Sequence, residues 1–224
     1  MNNKKISFII CSNDEFATKE CITYIDLLDI PTGYTVDVIL INDANSMTSG
    51  YNEGMQSSDA KYKVYMHQDV YILNKNFLHD LLDIFSDNSV GMFGLVGNTS
   101  LAPDGGAWSD GMHRRVGQVY LDTILDKSIS IFGKTSSPYT EVIGLDGLLM
   151  ATQYDIPWRE DLFKGWDFYD LSQSLEFIRA GYKVVVPYME TPWALHDNDV
   201  LNLSNYDKWR EVFKKEYYND YSKA

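Results

Sequence analysis

Four short apolar runs, separated by stretches with helical spacing, constrain this chain more than any other feature. Residues 6–11, 36–41, 63–66 and 90–96 are largely apolar without strict alternation, the pattern of strands covered on both faces. Between them, residues 16–28, 49–58 and 76–85 carry apolar side chains at helical spacing, with Ser12, Asn13 and Asp14 as N-cap candidates for the first. Strands alternating with helices predict an α/β fold: a mostly parallel central sheet, flanked by helices, in a single domain. In such sheets a ligand lies at the carboxyl ends of the strands. Ser12-Asn13, Asn42-Asp43 and His67 to Asp69 are therefore expected to converge on one cleft.

Residues 98–138 break this rhythm. They hold Pro103-Asp104-Gly105-Gly106, Trp108 and Gly111, with no clear period before residues 118–125, and read as an excursion beside the cleft. Regular structure is expected again over 142–151. A helix over 168–180 stopped by Gly181, a strand over 183–186 and an amphipathic helix over 206–218 follow. No repeat or low-complexity stretch interrupts the chain.

Charge bounds the ligands. Asp and Glu number 32 against 19 Lys and Arg, a formal charge of −13. Such a surface repels nucleic acid and anionic membrane, which excludes both as general partners. It also means that a phosphate-bearing ligand needs a local positive charge, and a divalent cation supplies one. Cys11 sits in an apolar run and Cys21 is the other cysteine, so no disulfide framework is expected and a reducing, cytoplasmic setting fits. The apolar run near the N-terminus is too short for a membrane span. Aromatics make up 14% of the residues, which suits either core packing or a cleft that stacks on bases and sugars.

Three segments carry candidate chemistry. In residues 63–72 an apolar run leads into His67-Gln68-Asp69 and resumes at once. A carboxylate at the end of a buried strand is costly unless it caps a turn, is paired or binds a cation. In residues 165–184, Asp167 and Asp170 open a helix beside Trp166, Phe168 and Tyr169. The helix dipole favours such carboxylates, but two with three aromatics exceed what capping requires. The third segment is Pro192-Trp193-Ala194-Leu195-His196-Asp197, whose lone histidine is either a ligand or a satisfied surface or core residue.

Together these segments resemble glycosyltransferase family 2, and within it the bacterial glycosyltransferase-like branch with a His-Gln-Asp motif. The resemblance runs from Ile6 to about His196. It includes the opening strand and turn from Ser7 to Asp14, Asn42-Asp43 at the strand end where the family has paired Asp, and Tyr51-Asn52-Glu53-Gly54, which resembles the Asn-x-Gly that follows. It implies the GT-A (Rossmann-like) fold, with His67-Gln68-Asp69 at the Asp-x-Asp position. Tyr169-Asp170, followed by Gly181-Tyr182, matches the family's Glu-Asp pair and its helix. By that resemblance Asp170 is the catalytic base, Asp69 and His196 hold Mn²⁺ or Mg²⁺, and Asn13, Asp43, Asn52, His67 and Asp69 bind the nucleotide-sugar donor. Departures are His67 for the first Asp, Asn42 for one strand-end Asp, and Tyr169 for Glu.

The implied reaction moves a sugar from a nucleoside diphosphate, with uridine expected, to a hydroxyl of a saccharide, glycolipid or glycoprotein, with inversion. Residues 1–97 would form the nucleotide half, 98–204 the acceptor half and 205–224 a C-terminal helix. Trp108 and the 158–166 region would shape the acceptor pocket, or pack the core. A sugar-phosphate nucleotidyltransferase would need a Gly-rich basic turn after the first strand, where this chain has Ser12-Asn13-Asp14-Glu15. A domain that only binds nucleotide or a partner is the other reading, and the presence of Asp170 weighs against it.

Overall fold

The computed structural model describes residues 1–106, 114–122, 127–197 and 203–222. The first part of the chain follows the expected alternation: β1 (Asn2–Ser12), α1 (Glu15–Asp26), β2 (Thr35–Asn42), α2 (Met47–Gln56), β3 (Ala60–His67), β4 (Val70–Ile72), α3 (Phe77–Ile84), β5 (Val90–Gly94) and β6 (Val96–Asn98). Five strands come next: β7 (Arg115–Asp122), β8 (Lys127–Ile131), β9 (Tyr139–Glu141), β10 (Gly144–Leu145) and β11 (Leu149–Thr152). The described residues end with α4 (Tyr169–Arg179), β12 (Lys183–Pro187), β13 (Ala194–Asp197) and α5 (Tyr206–Tyr221).

The central sheet has seven strands in the order β2-β1-β3-β11-β5-β12-β9. β1 pairs in parallel with β2 and β3, and β12 with β5. β11 enters antiparallel between β3 and β5, and β9 is antiparallel at the edge. Five of the seven strands thus share one direction, and the sheet is mixed. In β1, Ile6, Phe8, Ile9 and Ile10 are wholly buried, as a run without alternation requires. Asp14 caps α1, accepting from the amides of Phe16 and Ala17. Helix α2 begins at Met47, earlier than its spacing indicates, because Ser46 and Ser49 form a capping box.

Residues 90–96 are not the single strand expected. The chain leaves the central sheet at Leu95, and β6 joins a second sheet of order β10-β6-β7-β13-β4, with β8 on β7. The turn depends on close backbone approach. Gly117 has a φ of +101°, and a Cβ there would lie 2.1 Å from the Leu95 carbonyl oxygen. Nor are residues 98–138 a plain excursion, since β7 and β8 form an antiparallel pair within that second sheet. Trp108 and Gly111 lie outside the described residues, as do residues 123–125.

α5 presents Trp209, Phe213, Tyr217 and Tyr221 at four-residue intervals to Phe163, Phe168, Leu171 and Leu175, which gives a second apolar core. Arg179 seals the contact through Glu216 at 3.0 Å and Asp220 at 2.8 Å. α5 thereby fixes α4, whose N-terminus opens on the site described next. Cys11 and Cys21 are both free. Among the described residues, no helix is long and apolar enough to cross a membrane.

Candidate active site

The carboxyl ends of β1, β2 and β3 meet at a cleft of about 490 Å³, lined among others by Ser12, Asn13, Asp43, Met47, His67 and Asp69. Gln68 ties the turn after β1 to the end of β3. Its Oε1 accepts from the amides of Asn13 at 2.9 Å and Asp14 at 3.0 Å, while its Nε2 donates to Asn13 Oδ1 at 2.5 Å. Asp43 stands on the opposite wall with a φ of +56°, a left-handed conformation that Asp tolerates better than most residues. The ends of β1 and β3 are thus tied together beside one opening.

At the mouth of this cleft three side chains converge. β13 pairs antiparallel with β4, setting His196 opposite Val70, and the Asp197 amide donates to the Asp69 carbonyl at 2.9 Å. Asp69 Oδ1 then lies 3.6 Å from His196 Nε2 and 3.9 Å from His67 Nδ1. One ligand atom from each of the three falls within 4.8 Å of the others. Burial opposes ionisation of Asp69, yet the neighbouring His196 and His67 rings hold its carboxyl below the usual range. Burial, followed by His196, holds His67 below its ordinary value, so its ring is neutral near pH 7. Asp69 Oδ1 is buried and has no hydrogen-bond partner. A buried carboxylate oxygen with no donor, facing two imidazoles, fits a divalent cation. Two nitrogens beside one oxygen favour Mn²⁺ over Mg²⁺.

A second cavity of about 360 Å³ opens on the other side of these residues. His67, Asp69 and Trp166 line both spaces. At its base Asp170 Oδ2 accepts from the Gly147 amide at 3.0 Å, and Oδ1 accepts from the Leu171 amide at 2.8 Å. Burial and the nearby Asp146 carboxylate push Asp170 up to about 7, suited to a group that takes a proton at neutral pH. Phe168, immediately before α4, is left-handed at φ +62°. Its ring packs 4.8 Å from that of Tyr206 and 5.1 Å from that of Phe213. Such a conformation persists only where packing enforces it, and α5 does so here.

The fold therefore brings Asn13, Asp43, His67 and Asp69 to the first cleft, and Asp170 and His196 to the adjoining cavity. Asn52 is a correction. Its Nδ2 donates to the Trp158 carbonyl at 2.9 Å and its Oδ1 accepts from the Trp158 amide at 2.8 Å. With both ends of its amide occupied in the core, Asn52 lines neither cavity. Gly54 of the same motif serves packing, since a Cβ there would strike Ile9. Trp158 is 2% exposed and is a core residue, whereas Trp166 is 51% exposed and stands where the two cavities meet. His67, assigned to the donor from sequence, also completes the three-residue cluster. Gln68, Tyr169 and Trp166, named in the sequence as parts of motifs or of the 158–166 region but not as site residues, line or build the site. Asp146 joins them without any sequence signal that pointed to it.

Comparison with known proteins agrees with this fold. Residues 7–217 match the profile of a glycosyltransferase-like family. No curated protein sequence gave a significant match. Among solved structures, S. aureus TarS 1-349 in complex with UDP superposes with a TM-score of 0.55 at 11% identity, over 95% of this chain and 65% of that one. The mannosyltransferase PcManGT from Pyrobaculum calidifontis, in complex with GDP-Man and Mn²⁺, gives 0.57 at 14% identity, over 96% of this chain and 64% of that one. The chain thus spans slightly less than two thirds of these proteins. Their likeness establishes the expected GT-A fold.

Proposed function

The chain belongs to the glycosyltransferase-like family, and from that premise we propose that it is a metal-dependent transferase using a nucleoside-diphosphate sugar. The observation that carries this reading is the placement of His67, Asp69 and His196 at the junction of two cavities, with Asp170 across the second. A cation bound there would neutralise the charge that develops on the departing diphosphate. Asn13 and Asp43 hold the nucleoside in the first cleft. Trp166 offers its exposed ring to the sugar between the two cavities. In the second cavity Asp170 takes the proton of the attacking hydroxyl, and attack from that side inverts the anomeric carbon. Residues 1–97 act as the donor half and 98–204 as the acceptor half, while α5 within the C-terminal segment braces α4.

Uridine is the expected nucleoside, in keeping with the UDP bound by S. aureus TarS 1-349. The acceptor hydroxyl belongs to a saccharide, glycolipid or glycoprotein, as expected of a cytoplasmic enzyme of polysaccharide assembly. The test is turnover: UDP-sugars and GDP-mannose are incubated with Mn²⁺ and a panel of acceptors, and diphosphate release is followed. Release from one donor class that stops on chelation and on Asp170→Asn supports the proposal. Metal-dependent nucleotide binding with no release from any donor, even by slow hydrolysis, would instead mark a binding module.

A further inference from the structure

We propose that Tyr169 is a positioning residue whose hydroxyl locks the His67 ring so that Nδ1 faces the cation site. The proposal rests on the cation reading given above. His67 has two polar neighbours, one for each ring nitrogen: Nε2 lies 2.5 Å from the Tyr169 hydroxyl oxygen, and Nδ1 lies 3.9 Å from Asp69 Oδ1. A neutral imidazole has one N–H and one bare nitrogen, and the hydrogen bond made by one nitrogen decides the state of the other. A nitrogen that binds a cation must be bare. The proton therefore sits on Nε2 and is donated to Tyr169 Oη, which leaves the Nδ1 lone pair directed toward Asp69 and His196.

The hydroxyl is held where this requires. Tyr169 is buried, with Tyr51 at 5.9 Å and Trp158 at 6.3 Å between ring centroids. A tyrosine hydroxyl is neutral near pH 7 and can accept as well as donate. Position 147 must be glycine for the ring to fit, since a Cβ there would lie 2.0 Å from Tyr169 Oη. The same Gly147 donates its amide to Asp170, so one glycine both admits the ring that holds the metal-side histidine and contacts the base next to it in sequence. A tyrosine supplies an oxygen acceptor without adding another negative charge beside Asp69 and Asp170.

The test combines two measurements. Two-bond ¹H–¹⁵N spectra of ¹⁵N-histidine-labelled, metal-free protein read the tautomer of His67, and electron paramagnetic resonance titration reads the Mn²⁺ affinity. Wild-type protein should show a bare Nδ1. Tyr169→Phe, which keeps the ring and loses only the hydroxyl, should bind Mn²⁺ about 10- to 100-fold more weakly with its circular dichroism spectrum unchanged. A wild-type proton on Nδ1, or Mn²⁺ binding by Tyr169→Phe equal to wild type, overturns the proposal. If wild-type protein binds no Mn²⁺, or His196→Ala binds it undiminished, the cation reading itself fails and this proposal fails with it. The tautomer is read on wild-type protein, so an unstable variant does not prevent a decision.

Discussion

At the scale of single residues, Asp170 combines a catalytic expectation with a thermodynamic one. Its carboxyl is raised to about 7, first by burial and then by Asp146. A base must be deprotonated to act, so kcat should rise with pH through about 7 and level off above it, as a pH–rate profile will show. Asp170→Asn should lower kcat by roughly 10²–10⁴. A raised carboxyl holds its proton more tightly in the folded state. Its contribution to stability is therefore present below about pH 4 and lost as pH climbs toward 7. In metal-free urea unfolding, Asp170→Asn should thus be more stable than wild type at pH 8, by on the order of a few kcal/mol, with the gain vanishing near pH 4. Asn52 gives the opposite kind of outcome. Asn52→Ala strips partners from the Trp158 amide and carbonyl, so it should cost roughly 2–4 kcal/mol in the same assay and leave UDP affinity unchanged. Sequence alone could not separate these two residues. Both are polar and near apolar neighbours, and only the fold shows that one amide is saturated in the core while one carboxylate faces a cavity. His67 and Asp69 were legible because a carboxylate ending a buried strand needs a reason to be there.

Among elements, the strands with continuous apolar runs were legible because burial on both faces leaves a run that no other element of that length explains. β5 and β6 were not separable: every residue of both is buried, and nothing in the run marks Leu95 as the point where the chain changes sheets. The cause lies in Gly117, distant in sequence, whose lack of a side chain lets β7 pack against the Leu95 carbonyl. Gly117→Ala combines a strained backbone with a collision against main-chain atoms. It should destabilise the protein by at least about 2 kcal/mol, seen as a lower urea midpoint. The direction of β11 was hidden for a similar reason, because an antiparallel strand between parallel ones has the same fully buried composition. α4 and α5 were predicted as helices, but not the role of α5. Packing of Tyr206 and Phe213 on Phe168 holds the left-handed residue that starts α4. Tyr206→Ala should therefore lower kcat more than it lowers donor affinity, a split that steady-state kinetics resolves.

For the whole molecule, a net charge of −13 sets the problem that the site answers. A diphosphate approaching so acidic a protein meets repulsion unless charge is neutralised locally, and Asp69, His67 and His196 converge between the cleft and the adjoining cavity, where a cation can do so. Metal and nucleotide are therefore expected to bind cooperatively. The most direct measurement is a calorimetric titration of UDP into wild-type protein and Asp69→Ala, each with Mn²⁺ and with chelator. Wild-type protein is expected to bind UDP only with Mn²⁺ present, and Asp69→Ala is expected not to bind it. Equal binding with and without the metal, or full binding by Asp69→Ala, would contradict a cation-assisted donor site.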